Sequence, residues 1–261
     1  MKMRKATYPD RRGREKQRAP GAAEMAARIR AALHSRANSE KARSGQIFFK
    51  EPVILLGVSA TDSRNLAREI YEEVKEFWSW REATVLADLL LPDPYLEVKG
   101  VAILILGRFV KSAPAAGLLG KAKFWLQAGF CDNWASVDTL CPEVIAPLLT
   151  RNPSLLRQVQ AWPSSGNRWV KRASAVSLIP LARRGIELKV AYANAGQLFA
   201  SRDDLIQKAN GWLLREAGKT DMKRLEGFLL AHGPAIPRTT LRYAIERFPP
   251  AKRKQLLSET K

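Results

Sequence analysis

The stretch Asp132-Asn-Trp-Ala-Ser-Val-Asp-Thr-Leu-Cys-Pro-Glu-Val-Ile-Ala-Pro-Leu148 decides the fold, because its apolar residues return with the period of a helix. At about 100° per residue, Val137, Leu140, Val144 and Leu148 form one stripe, with Trp134 at its edge and Asp138 further round toward solvent. The tryptophan and the carboxylate thus share a face, one turn apart and near a helix start. Read alone, Asp132 is a plain N-cap, Trp134 a half-buried packing residue and Asp138 a solvated charge. The competing reading is a ring and a carboxylate presented to a ligand, and the neighbouring segments bear on the choice.

The helical period recurs outward from this stretch. Hairpin starts near Asp62, Tyr95, Asp132, Asn167, Asp203 and Ile236 are separated by 33, 37, 35, 36 and 33 residues. Repeats of this length predict an all-α fold, an α-solenoid whose curvature leaves a concave face for a long ligand. Asp, Asn or Pro near several starts suit N-cap or first-turn positions, and Leu91-Pro-Asp-Pro94 and Thr150-Arg-Asn-Pro153 suit the stops. Pro142 and Pro180 fall inside helical stretches and are expected to kink or restart them. Val53-Ile-Leu-Leu56 has the composition of a strand, but no partner strand pattern follows, and an isolated strand leaves its backbone unpaired. Residues 45–57 therefore read as a packed connection.

The fold is expected to begin with a helix from Ala22 to about Ala37, which carries Met25, Ile29 and Leu33 on one stripe. Residues 1–20 hold eight basic side chains, two prolines and almost nothing apolar, so they are expected to form a disordered basic arm that attracts nucleic acid or keeps the protein soluble. Residues 21–261 are expected to form a single solenoid domain.

Lys and Arg outnumber Asp and Glu by 44 to 25, a net charge of +19. Residues 1–45 carry 13 basic and four acidic side chains, so the rest of the chain still carries +10. A folded part this basic suits a polyanion, with nucleic acid first among the partners; an anionic membrane or an acidic protein would also be attracted. Cys131 and Cys141 form no Cys-x-x-Cys pair, and His34 and His232 are the only histidines, so two buried thiols are expected and no metal site. No apolar run reaches the roughly 20 residues of a membrane span, and no secretory apolar region follows the basic N-terminus. The expected location is the cytoplasm, in association with the nucleoid when DNA is bound.

Two further segments carry candidate groups. In Asn167-Arg-Trp-Val-Lys-Arg172, Trp169, Ala173 and Val176 face inward, and Arg172 lies about 60° off that stripe, where its planar fork suits a phosphate or a surface ion pair. In Lys208-Ala-Asn-Gly-Trp-Leu-Leu-Arg-Glu216, Ile206, Ala209 and Leu213 face inward and Trp212 sits on the flank. Gly211 costs this helix about 1 kcal/mol relative to alanine, which suggests close approach by another group. Arg215 and Glu216 are candidate solvated charges.

The three segments fall on successive hairpins. Together they make the chain resemble the HEAT-like-repeat alkylpurine DNA glycosylases, the AlkD family, over roughly Ala22 to Pro249. Trp134-Ala-Ser-Val-Asp138 matches the family's Trp-x-x-Val-Asp, which implies that Trp134 contacts the sugar and Asp138 is the catalytic carboxylate. Trp169-Val-Lys-Arg172 matches the segment of the active-site arginine, and Lys208–Glu216 the segment of a second cleft tryptophan, here Trp212. The resemblance implies HEAT-like hairpins around a concave basic DNA-binding cleft, and hydrolysis of the N-glycosidic bond of cationic purines such as N3-methyladenine and N7-methylguanine in base excision repair. It implies a catalytic set of Asp138, Trp134, Arg172 and Trp212, with DNA contacts from Arg172, Trp134, Trp212, Phe48, Lys50 and Arg215. The expected partner is double-stranded DNA with alkylated purines, bound by a monomer with no metal and no cofactor. One departure is Phe48, which stands where the family's active enzyme has a cleft tyrosine. A noncatalytic HEAT-repeat module for DNA or RNA is the principal alternative, and a protein-interaction scaffold the second.

Overall fold

The computed structural model describes residues 20–261, and the arm expected over residues 1–20 lies outside the described residues except for Pro20. The Pro20 carbonyl accepts a hydrogen bond from the Trp78 indole at 2.9 Å. The chain is all-helical and solenoid-like. Among the described residues there is no strand, only an isolated bridge between Ile54 and Tyr95.

Helix α1 (Ala22–His34) buries Met25, Ile29 and Leu33 completely, as their spacing predicts. A short helix α2 (Ser39–Gln46) follows inside a stretch without helical patterning; it buries none of its own residues, so it leaves no apolar stripe to read. From there helices come in pairs and broken pairs: α3 (Ala60–Val74) and α4 (Trp80–Leu90), α5 (Leu96–Phe109) and α6 (Ala115–Gln127), then α7 (Trp134–Leu140), α8 (Ala146–Arg151) and α9 (Leu156–Gln160). Next are α10 (Arg168–Val176), α11 (Ile179–Ala182) and α12 (Leu188–Leu198), then α13 (Asp204–Gly218) and α14 (Met222–His232), and finally α15 (Arg238–Ala244) and α16 (Pro250–Glu259).

The expected hairpin starts match α3, α5, α7, α10, α13 and α15 to within two residues. These six helices pack side by side in chain order, each on the next, and form one row of the stack. A second row, which includes α4, α12 and α14, packs against it. Local chemistry sets the starts. Ser59, Asn133, Asn167 and Asp203 each accept a first-turn backbone N–H, satisfying donors that a helix leaves orphaned. Position 132 differs from expectation. The cap of α7 is Asn133, whose Oδ1 accepts from Ser136 N at 2.9 Å, while Asp132 takes the buried Lys99 ammonium at 3.0 Å. Pro142 opens a wide π-type turn, Cys141–Ile145, between α7 and α8, and Pro180 sits in the short α11 after a break; both interrupt their helices as expected.

The far end of the connection from Ile47 to Ser59 is tied to α5 by one carboxylate. Glu97 of α5 accepts backbone N–H groups from Leu56, Gly57 and Val58 at 3.0, 2.8 and 3.3 Å. Gly57 has φ +78, and a Cβ there would lie 2.1 Å from the Asn38 carbonyl oxygen, so only glycine fits. Gln46, the last residue of α2, ties the near end: its Nε2 donates to the Phe49 and Glu51 carbonyls at 3.3 and 3.1 Å, and its Oε1 accepts from Val53 N at 3.0 Å.

Candidate active site

Trp134, Asp138, Arg172 and Trp212 come from three neighbouring helices of that row, α7, α10 and α13, and line one cavity of about 350 Å3. Val137, Leu140, Val144 and Leu148 are fully buried, as the stripe predicts, and this fixes the direction in which Trp134 and Asp138 leave the helix. Trp134 is half-buried and stacks on Phe49, with ring centroids 5.0 Å apart and planes at 21°. Phe48, placed at the cleft by the resemblance, lines the same cavity and is 71% exposed. The partner of Trp134 is therefore the second ring of the Phe48-Phe49 pair, and only the three-dimensional path of the connection distinguishes the two.

Asp138 differs most from its sequence reading. It does not turn to solvent. Arg172 Nε donates to its Oδ1 at 2.9 Å and Nη2 to its Oδ2 at 2.7 Å, a two-pronged pair. Arg172 is only 5% exposed, and its Nη1 donates to the Leu205 carbonyl at the start of α13. The sequence reading leaves this guanidinium a phosphate or a surface ion pair; in the structure the fork closes on Asp138 in a buried pair. Burial raises the Asp138 pKa above the ordinary carboxylate value, opposed by the hydrogen bonds and the charge of Arg172. Asp138 also faces a neighbouring cavity of about 660 Å3.

The other basic candidates are distributed unevenly. Lys50 is exposed and pairs with Asp204 at 2.8 Å, while its neighbour Glu51 pairs with Arg168 at 2.6 Å, so the connection bridges to α13 and α10. Arg215 lines the smaller cavity and pairs with Glu246. Glu216 is not a solvated charge: it is 2% exposed and receives Arg183 at 2.8 Å and Lys219 at 2.6 Å. Lys41 and Arg64, which no motif singles out, are exposed on the wall of the larger cavity and make no ion pair among the described residues. Cys131 and Cys141 are buried free thiols; burial pushes Cys131 up to about 12 and Cys141 also upward. Trp169 packs in the core, with the Arg168 guanidinium 4.6 Å above its ring.

Gly211 meets the close approach its position suggests. A Cβ there would lie 2.4 Å from Tyr243 Cβ and 2.6 Å from the Thr240 carbonyl oxygen, both on α15. Gly211→Ala should therefore push α15 off α13. The overpacking costs about 1–3 kcal/mol, and the helix-propensity gain of about 1 kcal/mol only partly offsets it. A lower urea midpoint at unchanged slope is the expected result; an unchanged or higher midpoint would mean the two helices separate without penalty.

The sequence model of DNA alkylation repair enzymes matches residues 29–248. Among solved structures, a predicted DNA alkylation repair enzyme from Enterococcus faecalis superposes with a TM-score of 0.72 at 17% identity, over 82% of this chain and 98% of that one. At that identity the likeness speaks for the fold. No curated protein matches the sequence.

Proposed function

From the premise that the chain belongs to the DNA alkylation repair enzyme family, we propose that it is a DNA glycosylase, hydrolysing the N-glycosidic bond of cationic alkylated purines in duplex DNA. N3-methyladenine and N7-methylguanine are the substrates, and the reaction opens base excision repair. The observation that carries this reading is the Asp138 carboxylate, held from behind by Arg172 in a cavity that Trp134 and Trp212 also line.

Alkylation at N3 or N7 makes the purine cationic, so it departs readily and leaves positive charge on the deoxyribose. A fixed carboxylate stabilises that developing oxocarbenium ion and orients water toward C1′, as carboxylates do in glycoside hydrolysis. Trp134 and Trp212 offer aromatic faces to the cationic sugar. Arg172 positions Asp138 rather than serving as the main phosphate ligand. Water and a carboxylate suffice for this chemistry, so the proposal includes no metal and no cofactor. We assign the activity to one solenoid domain over residues 21–261, acting as a monomer on nucleoid DNA in the cytoplasm. Among the described residues no helix is long and apolar enough to cross a membrane.

The test is release of N7-methylguanine from methylated duplex DNA, followed with a binding titration across salt. Release, together with affinity that falls steeply as salt rises, is the expected result. Charge reversal of Lys41 and Arg64 should weaken binding to all duplexes alike and flatten the salt slope by about one unit for each phosphate these side chains neutralise. Binding without release, across N3- and N7-alkylated purines, would replace the glycosylase with a noncatalytic nucleic-acid-binding module.

A further inference from the structure

The cavity at Asp138 has a wall that none of the sequence motifs accounts for. Tyr243 of α15 lines it beside Trp212, Lys208 and Arg215. The residue is 37% exposed, and its hydroxyl has no hydrogen-bond partner among the described residues.

The placement of this ring is tightly determined. Thr240 is fully buried and its hydroxyl donates to the Gln207 carbonyl at 3.0 Å, which fixes α15 on α13. One turn further along both helices, Tyr243 meets Gly211, where any Cβ would collide with it at 2.4 Å. Another turn on, Arg215 pairs with Glu246. A glycine inside a helix costs about 1 kcal/mol, and here that cost brings the Tyr243 Cβ and the Thr240 backbone against the residue next to Trp212. The result is an aromatic residue anchored at its base and free at its polar tip, in a cavity that Lys208 and Arg215 also line.

We infer that Tyr243 is a further substrate-contacting residue of this cleft, whose hydroxyl donates a hydrogen bond to a backbone phosphate flanking the lesion nucleotide. Lys50 and Lys208 share the single carboxylate of Asp204, so with Arg215 and Glu246 this side of the cleft keeps a net positive charge, and the phosphates are the anions that DNA offers. A phenol is a donor that survives when neighbouring cations are engaged by carboxylates, as Arg215 is by Glu246 and Lys208 by Asp204. Hydrogen bonds to charged acceptors are the stronger kind. The identity of the ligand rests on the proposed glycosylase reading; the position of the tyrosine does not.

Tyr243→Phe keeps the ring and the packing on Gly211 and removes only the hydroxyl. Its melting temperature should match the wild type, while affinity for a duplex carrying a tetrahydrofuran abasic-site analogue should fall about tenfold, the size expected for one hydrogen bond to a charged group. Single-turnover release of N7-methylguanine should fall at least as far, and Tyr243→Ala should fall further in both. Wild-type affinity and rate in a folded Tyr243→Phe protein would overturn the inference. If the wild type binds the abasic duplex but releases no base, the glycosylase reading fails and the affinity comparison still decides the role of Tyr243. If the wild type does not bind the duplex at all, both fall.

Discussion

Asp138→Asn is expected to lower single-turnover release of N7-methylguanine by about 100-fold or more, the usual consequence of removing one preorganised electrostatic group, while DNA affinity stays level or tightens. The substitution keeps the size of the side chain and removes its charge. If the carboxylate acts on an oxocarbenium ion, its loss is felt in the transition state much more than in the ground state. A negative charge facing the DNA backbone is also removed, so binding has no reason to suffer. Fold is the control that matters, because Asp138 is the partner of a buried arginine. Asparagine can still accept from Arg172 through its carbonyl oxygen, but it leaves the guanidinium charge uncompensated, so circular dichroism and melting belong with the rate measurement. Equal rates for a folded Asp138→Asn protein and the wild type would remove the carboxylate from the chemistry.

The second large effect concerns pH. Burial raises the Asp138 pKa, and the hydrogen bonds and charge of Arg172 hold that rise in check. Arg172→Met keeps volume and removes both opposing causes, so the acid limb of the rate profile should move upward, because an adjacent opposite charge no longer favours the carboxylate. Activity lost on the acid side would then return only at higher pH than in the wild type, whereas Asp138→Asn stays slow at every pH. Stability should follow with the opposite sign. A carboxyl whose folded pKa lies above its unfolded value takes up protons on folding, so its contribution is fully present below the unfolded value and is lost as pH rises through the folded value. Arg172→Met should therefore lose melting temperature relative to the wild type on going from acid toward neutral pH, with a cost of up to about 3–5 kcal/mol if the carboxylate stays charged without its partner. An acid limb that coincides with the wild type would show that Arg172 does not govern the ionisation of Asp138.

The sequence reveals those parts of this molecule that are written locally. The starts at Asn167 and Asp203 and the proline breaks are decided by a few adjacent side chains; the caps Ser59 and Asn133 differ from the Asp62 and Asp132 read for them, yet every hairpin start is readable to within two residues. The same holds for the stripe under Trp134. What local pattern does not carry is the pairing of Asp138 with Arg172, 34 positions away, which turns an expected solvated charge into a buried ion pair. The choice between Phe48 and Phe49 as the partner of Trp134 depends on the path of the connection after α2, where Gln46 holds the Phe49 and Glu51 carbonyls. Lys50, expected from sequence as a DNA contact, pairs with Asp204, 154 positions away, which no local pattern carries. Helix α2 escapes notice because it buries nothing, so its formation leaves no mark on hydrophobic spacing.

The bonds made by Arg172 have a bearing on how the stack comes apart. One side chain on α10 holds α7 through Asp138 and α13 through the Leu205 carbonyl. In a quasi-one-dimensional array, opening normally begins at an end and proceeds unit by unit, each interface parting in turn. Here three consecutive units share one rivet, so fraying from either terminus meets a block at the middle that must open as a whole. Amide exchange in α7, α10 and α13 should be the slowest in the chain and should report a common opening free energy, while the outer helices exchange independently. The same residue pair that prepares the reacting carboxylate would then set the smallest segment of this protein able to unfold on its own.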